Sequence, residues 1–199
     1  MKDFSFFTVE RRPGALLLRL CSEDGMNRLT RERVLALTDA VRQLTQERLP
    51  LVITGNEKFF STGADLGEIA RLDGPAAFEF SKMGQTLMQL VDEFSAPVAA
   101  AISGYCMGGG LDLALACRYR IASPHAIFGH RGAALGLITG WGGTQRLPRL
   151  IGRARALEMF VAAEKITASR ALAMGLLDAT AEDPAAEAVF RLTGAAWPG

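Results

Sequence analysis

The chain is short of cysteine and almost without net charge, and each shortage excludes something. Its 199 residues hold three cysteines, Cys21, Cys106 and Cys117. That odd number, with neither a CxxC pair nor metal-ligand spacing, excludes a disulfide framework and a cysteine-built metal site. The three read as reduced, mostly buried thiols. The 22 Lys and Arg oppose 21 Asp and Glu for a formal charge of +1, and no block of like charge marks a surface for nucleic acid or an acidic membrane. The opening MKDFSFFTVE has no apolar run of signal-peptide length, so a cytoplasmic location is the expectation. Only Val98 to Ala116 is long and apolar enough to imitate a membrane span. Three consecutive glycines and Asp112 interrupt it, and it reads as core instead.

Hydrophobic residues make up 49% of the chain and charged residues 22%, the balance of a folded globular domain. At this length one shared core is favoured over two. Residues 1–178 read as that domain and 179–199 as a short, weakly patterned tail. Phe4 to Glu10 and Ala15 to Leu20 flank Arg-Pro-Gly at 12–14 and predict a hairpin. Thr30 caps a helix in which Val34, Leu37, Val41 and Leu44 recur at helical spacing. Leu51 to Ile53 and Val98 to Ile102 are buried-strand runs, with a helical pattern from Phe78 to Phe94 between them. A short helix through Cys117, a strand at Tyr119 to Ala122, and helices at Arg153 to Ala163 and Ser169 to Met174 complete the pattern. Gly175 ends the last helix in a left-handed conformation.

Two glycine-rich strand exits stand out: STGAD at 61–65 and GYCMGGGLD at 104–112. Each follows a buried strand and leads into a helix, where the first N–H groups have no partner inside the helix. Side by side, two such turns would aim amides at one developing negative charge. Apart, they are only turns, because glycine suits both purposes.

LVITGNEKFFSTGADLGEI at 51–69 resembles the pattern of the enoyl-CoA hydratase/isomerase, or crotonase, family. So do PVAAAISGYCMGGGLDLALACRYRIAS at 97–123, FGHRGAALGLITGWGGTQRLPRLIG at 128–152 and ITASRALAMGLLD at 166–178. The resemblance covers nearly the whole chain in the family's order. It implies an α/β fold of repeated ββα units around roughly perpendicular sheets, and an acyl-CoA substrate whose thioester oxygen sits between two backbone N–H groups. Those amides fall on Ala64 and Gly109, with Asp65, Leu66 and Gly67 along the acyl-CoA path. Arg28 and Lys58 flank loops that approach the nucleotide phosphates. Coenzyme A enters as part of the substrate, and no metal or separate cofactor is implied. The implied assembly is a homotrimer or a dimer of trimers. The family's C-terminal helical segment is largely missing before residue 199, which leaves the trimer less secure and the pocket more open.

The proton-moving positions depart from the family. Its first glutamate matches Asp112, one C–C bond or ~1.5 Å shorter in reach, and its second matches Gly132. Asp112 also suits a helix first turn for purely electrostatic reasons. His130 stands two residues before Gly132, where an imidazole suits proton transfer near neutrality, though a histidine at a strand end also serves as a structural hydrogen-bonding group. Residues 130 and 132 face the same way only if the segment is extended. Naphthoate synthases of the family also have glycine at the second position, which leaves room for an anion or water. Glu68 reads as a solvated helix residue and Trp141 as packing at a turn; Arg118 replaces the family's aspartate with no evident consequence. Two functions follow: a hydratase/isomerase-type enzyme, or a non-catalytic acyl-CoA-binding or assembly protein that lost its second carboxylate.

Overall fold

Apolar runs too continuous to alternate must be covered on both faces, and Leu51–Thr54 and Val98–Ile102 are buried at every position. The computed structural model describes residues 2–4 and 6–194. It begins with an antiparallel meander of β1 (Lys2–Phe4), β2 (Phe7–Arg12) and β3 (Ala15–Leu20). The first expected strand, Phe4 to Glu10, is thus divided, and residue 5 lies outside the described residues. Helix α1 (Arg31–Leu44) follows, with the Thr30 hydroxyl accepting from Arg33 N.

Three strand–strand–helix units come next. β4 (Leu51–Thr54) turns at Gly55 into β5 (Phe59–Ser61), α2 (Leu66–Ile69) and α3 (Gly74–Asp92). β6 (Val98–Ile102) turns at Gly104 into β7 (Tyr105–Met107) and α4 (Gly109–Ala116). β8 (Tyr119–Ala122) leads to β9 (Ile127–Gly129), a 3-10 turn at Gly132–Leu135, α5 (Gly143–Ile151) and α6 (Arg153–Ala162). The chain continues through β10 (Ile166–Thr167), α7 (Ala168–Ala173), β11 (Ala179–Thr180) and α8 (Pro184–Thr193). Gly175 takes φ 84° just past α7, the left-handed exit that its position predicts.

One sheet has the order β1-β2-β3-β4-β6-β8-β11, parallel from β3 onward, and the other β10-β9-β7-β5. Each unit therefore crosses from the larger sheet to the smaller one. The corners are tight: a Cβ on Gly104 would lie 2.1 Å from the Lys58 carbonyl oxygen, so the β6–β7 corner seats directly on the β4–β5 corner.

Side chains alternate across the large sheet. Leu16, Leu18, Ile53, Ala100 and Ile102 join the main core with α1, α3 and α4. Leu17, Val52, Ala99, Ala101 and Ile121 face the other way, where Ala188 and Val189 of α8 cover them. The expected tail beyond 178 is therefore corrected. β11 pairs with β8, and α8 closes the second face of the sheet. Its alanine-rich sequence hid this, because it lies against small side chains and needs few large ones. Burying an aliphatic side chain such as Leu17 or Val52 fully stabilises by roughly 1.5–3 kcal/mol, so this face depends on α8.

Candidate functional site

The first glycine turn is braced from beneath. Asn27, buried and at φ 52°, donates from Nδ2 to the carbonyls of Phe59 and Phe60, each at 3.1 Å. The Ser61 hydroxyl donates to Asn27 O at 2.7 Å and accepts from Gly63 N at 3.0 Å. Gly63 takes φ 91°, and its carbonyl accepts from Leu29 N at 2.9 Å. Both backbone groups of Gly63 are thus engaged, and the Ala64 amide is not among the loop and turn hydrogen bonds of the described residues.

The second turn is built at β7's exit. Gly108, at φ 51° and ψ −123°, donates to Gly129 O at 2.9 Å and starts α4, in which every residue is buried. Gly109 is the first residue of that helix, so its N–H has no partner within it. The two turns pack glycine to backbone. A Cβ on Gly63 would lie 2.8 Å from Gly109 N, and one on Gly109 would lie 3.3 Å from Ala64 N. The Ala64 and Gly109 amides are therefore neighbours, as the paired-turn reading requires. Trp141 closes the far side: its ring would meet a Cβ on Gly109 at 2.5 Å and one on Gly84 at 2.2 Å, and its Nε1 donates to Phe80 O at 3.2 Å. Trp141 packs at a turn as expected, and it also lines the site.

Ala64, Gly109, Asp112, His130 and Gly132 all border one cavity of about 440 Å³, with Leu66, Ile69, Phe80 and Ile138 among its apolar walls. Asp112 is 2% exposed and His130 is 4% exposed. The Thr139 hydroxyl donates to Asp112 Oδ2. Asp112 Oδ1 lies 3.3 Å from His130 Nε2, close but not aligned as a hydrogen bond, and each atom is left buried without another partner. Catalytic hydrogen bonds are often misaligned in this way until substrate is bound. The His130 ring rests 5.2 Å from that of Phe160. Gly143 packs against the pair: a Cβ there would lie 2.2 Å from Asp112 Oδ1 and 3.1 Å from His130 Nε2.

Other expected residues sit elsewhere. Arg131 takes φ −91° and ψ 12° and Gly132 starts the 3-10 turn, so the segment is not extended and His130 and Gly132 do not alternate as a strand. A Cβ on Gly132 would lie 2.8 Å from Leu137 O; the glycine is required by the turn and leaves no opening along that direction. Asp65 and Gly67 do not line the cavity. Asp65 instead caps α2, accepting from Glu68 N at 2.9 Å, and approaches Arg28 Nε at 3.5 Å. Arg28 also pairs with Asp24, whose carboxyl is held below its ordinary range by the Ser22 hydroxyl first, then the Met26 amide, with Arg28 adding to both. Lys58 is exposed on the β4–β5 corner, outside the cavity lining. Glu68 is not merely solvated: its Oε2 accepts from Arg31 N at 2.8 Å and caps α1. Arg118 is exposed, with its guanidinium 5.9 Å from the Tyr119 ring.

Cys106 and Cys117 are buried, and Cys21 is half-buried. Burial pushes the Cys106 thiol well up and that of Cys117 up to about 12, which withholds the reactive thiolate. Among the described residues no three His, Cys, Asp or Glu side chains gather to hold a metal ion, and no helix is long and apolar enough to cross a membrane. Sequence reasoning missed Asn27, Ser61, Thr139 and Gly143. Only Ser61, inside STGAD, carried a local signal.

The chain resembles known proteins over most of its length. The model of the enoyl-CoA hydratase/isomerase family matches residues 10–191. A crotonyl-CoA hydratase of Syntrophomonas wolfei is 36% identical over 173 residues, 85% of this chain and 66% of that one. A probable enoyl-CoA hydratase of Bacillus subtilis is 43% identical over 136 residues, 68% and 53% of the two chains. The chain thus spans about half to two thirds of the length of these curated relatives. Among solved structures, Pseudomonas aeruginosa DspI superposes with a TM-score of 0.87 at 34% identity, covering 96% of this chain and 79% of that one. An enoyl-CoA hydratase of Bacillus anthracis superposes at 0.83 and 36% identity, covering 88% and 69%.

Proposed function

The chain belongs to the enoyl-CoA hydratase/isomerase family and has its crotonase fold, and from that premise we propose that it is an enzyme acting on an acyl-CoA thioester through an enolate. The observation that carries the reading is the adjacency of the Ala64 and Gly109 amides at the wall of an apolar cavity. A thioester oxygen accepting from both gains most when the α-carbon loses a proton and charge moves onto that oxygen, so the bound enolate is favoured over the ground state. Asp112 or His130, both buried at the wall of the same cavity, exchanges protons with the acyl chain. The apolar walls hold that chain and exclude water from the reacting carbons.

Coenzyme A takes part as a piece of the substrate rather than as a cofactor. In this reading Lys58 and Arg28 meet its phosphates, with Arg28 steered by Asp24 and Asp65. Self-association as a trimer or dimer of trimers belongs to the same proposal, supported by exposed apolar Leu157 and Val161 on α6 and Leu172 on α7. So does a cytoplasmic setting, supported by the buried thiols of Cys106 and Cys117.

Gly132 favours a second reading, an acyl-CoA-binding protein without turnover, because no second carboxylate stands at that position. Ultraviolet absorbance separates the two when both a short conjugated enoyl-CoA and its β,γ-unsaturated isomer are offered to the protein. The enzyme reading expects turnover by the native protein and a loss of ~10²-fold or more in Asp112→Asn or His130→Ala. Binding without turnover in the native protein selects the second reading.

A further inference from the structure

Both carboxylate oxygens of Asp112 are turned to protein groups. Oδ2 takes the Thr139 hydroxyl, and Oδ1 lies 3.3 Å from Nε2 of His130. Oδ1 and Nε2 are sealed from solvent with no other partner, and a proton on Nε2 shared with Oδ1 is the arrangement that satisfies both atoms. A neutral imidazole with its proton on Nε2 keeps a lone pair on Nδ1, and His130 borders the cavity beside Gly109. A carboxylate behind one ring nitrogen fixes the tautomer and stabilises the imidazolium formed when the other nitrogen takes a proton.

Resting on the acyl-CoA reading above, we infer that His130 is the catalytic proton carrier, that Asp112 and Thr139 are its positioning residues, and that the reaction is double-bond migration rather than addition of water. In a β,γ-unsaturated acyl-CoA, Nδ1 of His130 takes a proton from the α-carbon. The C–H electron pair moves into conjugation with the thioester, whose oxygen carries the charge between the Ala64 and Gly109 amides. The imidazolium, held against Asp112, then returns the proton to the γ-carbon, and the double bond comes to rest between the α- and β-carbons. Every proton removed is given back, so one base suffices and no water is consumed. Gly132 is consistent with this, since no second carboxylate is needed and Leu137 O blocks the direction in which one would grow.

The test uses 3-hexenoyl-CoA deuterated at the α-carbon, with conjugated 2-hexenoyl-CoA followed by absorbance and deuterium carried to the γ-carbon by NMR. The native protein is expected to migrate the bond faster than it hydrates 2-hexenoyl-CoA. His130→Ala lowers migration by ~10²–10⁴-fold, and added imidazole restores part of the rate, which a purely structural role of His130 would not permit. Asp112→Asn lowers kcat while KM changes only a few-fold, and Thr139→Val does the same more weakly. His130→Gln, which keeps a polar side chain of similar length, and thioester affinity by equilibrium dialysis show that a lost rate is not a lost fold. Migration at the native rate in both His130 variants overturns the assignment of the proton carrier, while the acyl-CoA reading stands. Faster hydration than migration overturns the reaction. A native protein that does not bind hexenoyl-CoA overturns the acyl-CoA reading itself and this inference with it.

Discussion

Gly109 meets Ala64 across the two strand exits so closely that a single methyl group on Gly109 would stand 3.3 Å from the Ala64 nitrogen and 2.5 Å from the Trp141 ring. The absence of a side chain there lets the two turns pack together, and both residues line the same cavity. Gly109→Ala keeps its N–H but pushes the amide out of place, and turnover is expected to fall by ~10²-fold, the usual loss for a misplacement of about 1 Å. Gly63→Ala should do the same from the other turn, with backbone strain added. Gly63 sits at φ 91°, where a Cβ is strained, and its Cβ would be 2.7 Å from Met107 O. Steady-state kinetics together with thermal unfolding separates a displaced donor from any lost fold.

Gly143 tests the proton-transfer pair without touching the amides. Its Cβ would collide with Asp112 Oδ1 at 2.2 Å, and a displacement of about 1 Å in such a pair costs ~10²-fold. Gly143→Ala is expected to lose that much kcat while thioester affinity, read by equilibrium dialysis, changes only a few-fold.

Restoring the family's second carboxylate by substitution should fail. Gly132→Glu places a Cβ 2.8 Å from Leu137 O, in a turn closed by Leu137 N donating to Gly132 O at 2.9 Å. The variant, alone or with Asp112→Glu, is expected to gain no hydratase activity and to unfold at a lower temperature than the native chain. Hydration assays and a melting curve check both halves.

The strands and the paired glycine turns were legible because each rests on local chemistry: apolar runs buried on both faces, and glycines where amides must be left free. The adjacency of Ala64 and Gly109 followed from the family resemblance as much as from spacing. Contacts that depend on tertiary meeting were not legible. Thr139 reaches Asp112 from 27 residues away, and Glu68 caps a helix that starts 37 residues earlier. His130 and Gly132 read as a possible strand pair, but the chain bends at Arg131. The 179–193 stretch looked unpatterned because α8 lies on a sheet face made mostly of alanine and valine, where small residues are what fits.

Arg120 is a stability residue that the sequence did not mark. It is 5% exposed, pairs with Asp178 at 3.2 Å and donates to Leu176 O at 2.9 Å, tying β8 to the segment that leads into β11. Breaking a buried pair by removing one partner costs about 3–5 kcal/mol. Asp178 is a surface residue with its side chain 32% exposed, which lowers that figure through solvent screening. Arg120→Met is therefore expected to destabilise by about 2–3 kcal/mol in urea unfolding, with catalytic constants of the folded fraction unchanged.

The paired amides are tested most directly by the carbonyl stretch of a bound acyl-CoA, isolated by difference infrared spectroscopy with a ¹³C label on the thioester carbon. Two N–H donors from Ala64 and Gly109 should polarise the C=O bond and shift the band to lower frequency than in water, with the shift reduced in Gly109→Ala. A band at its solution frequency in the native complex would contradict the account.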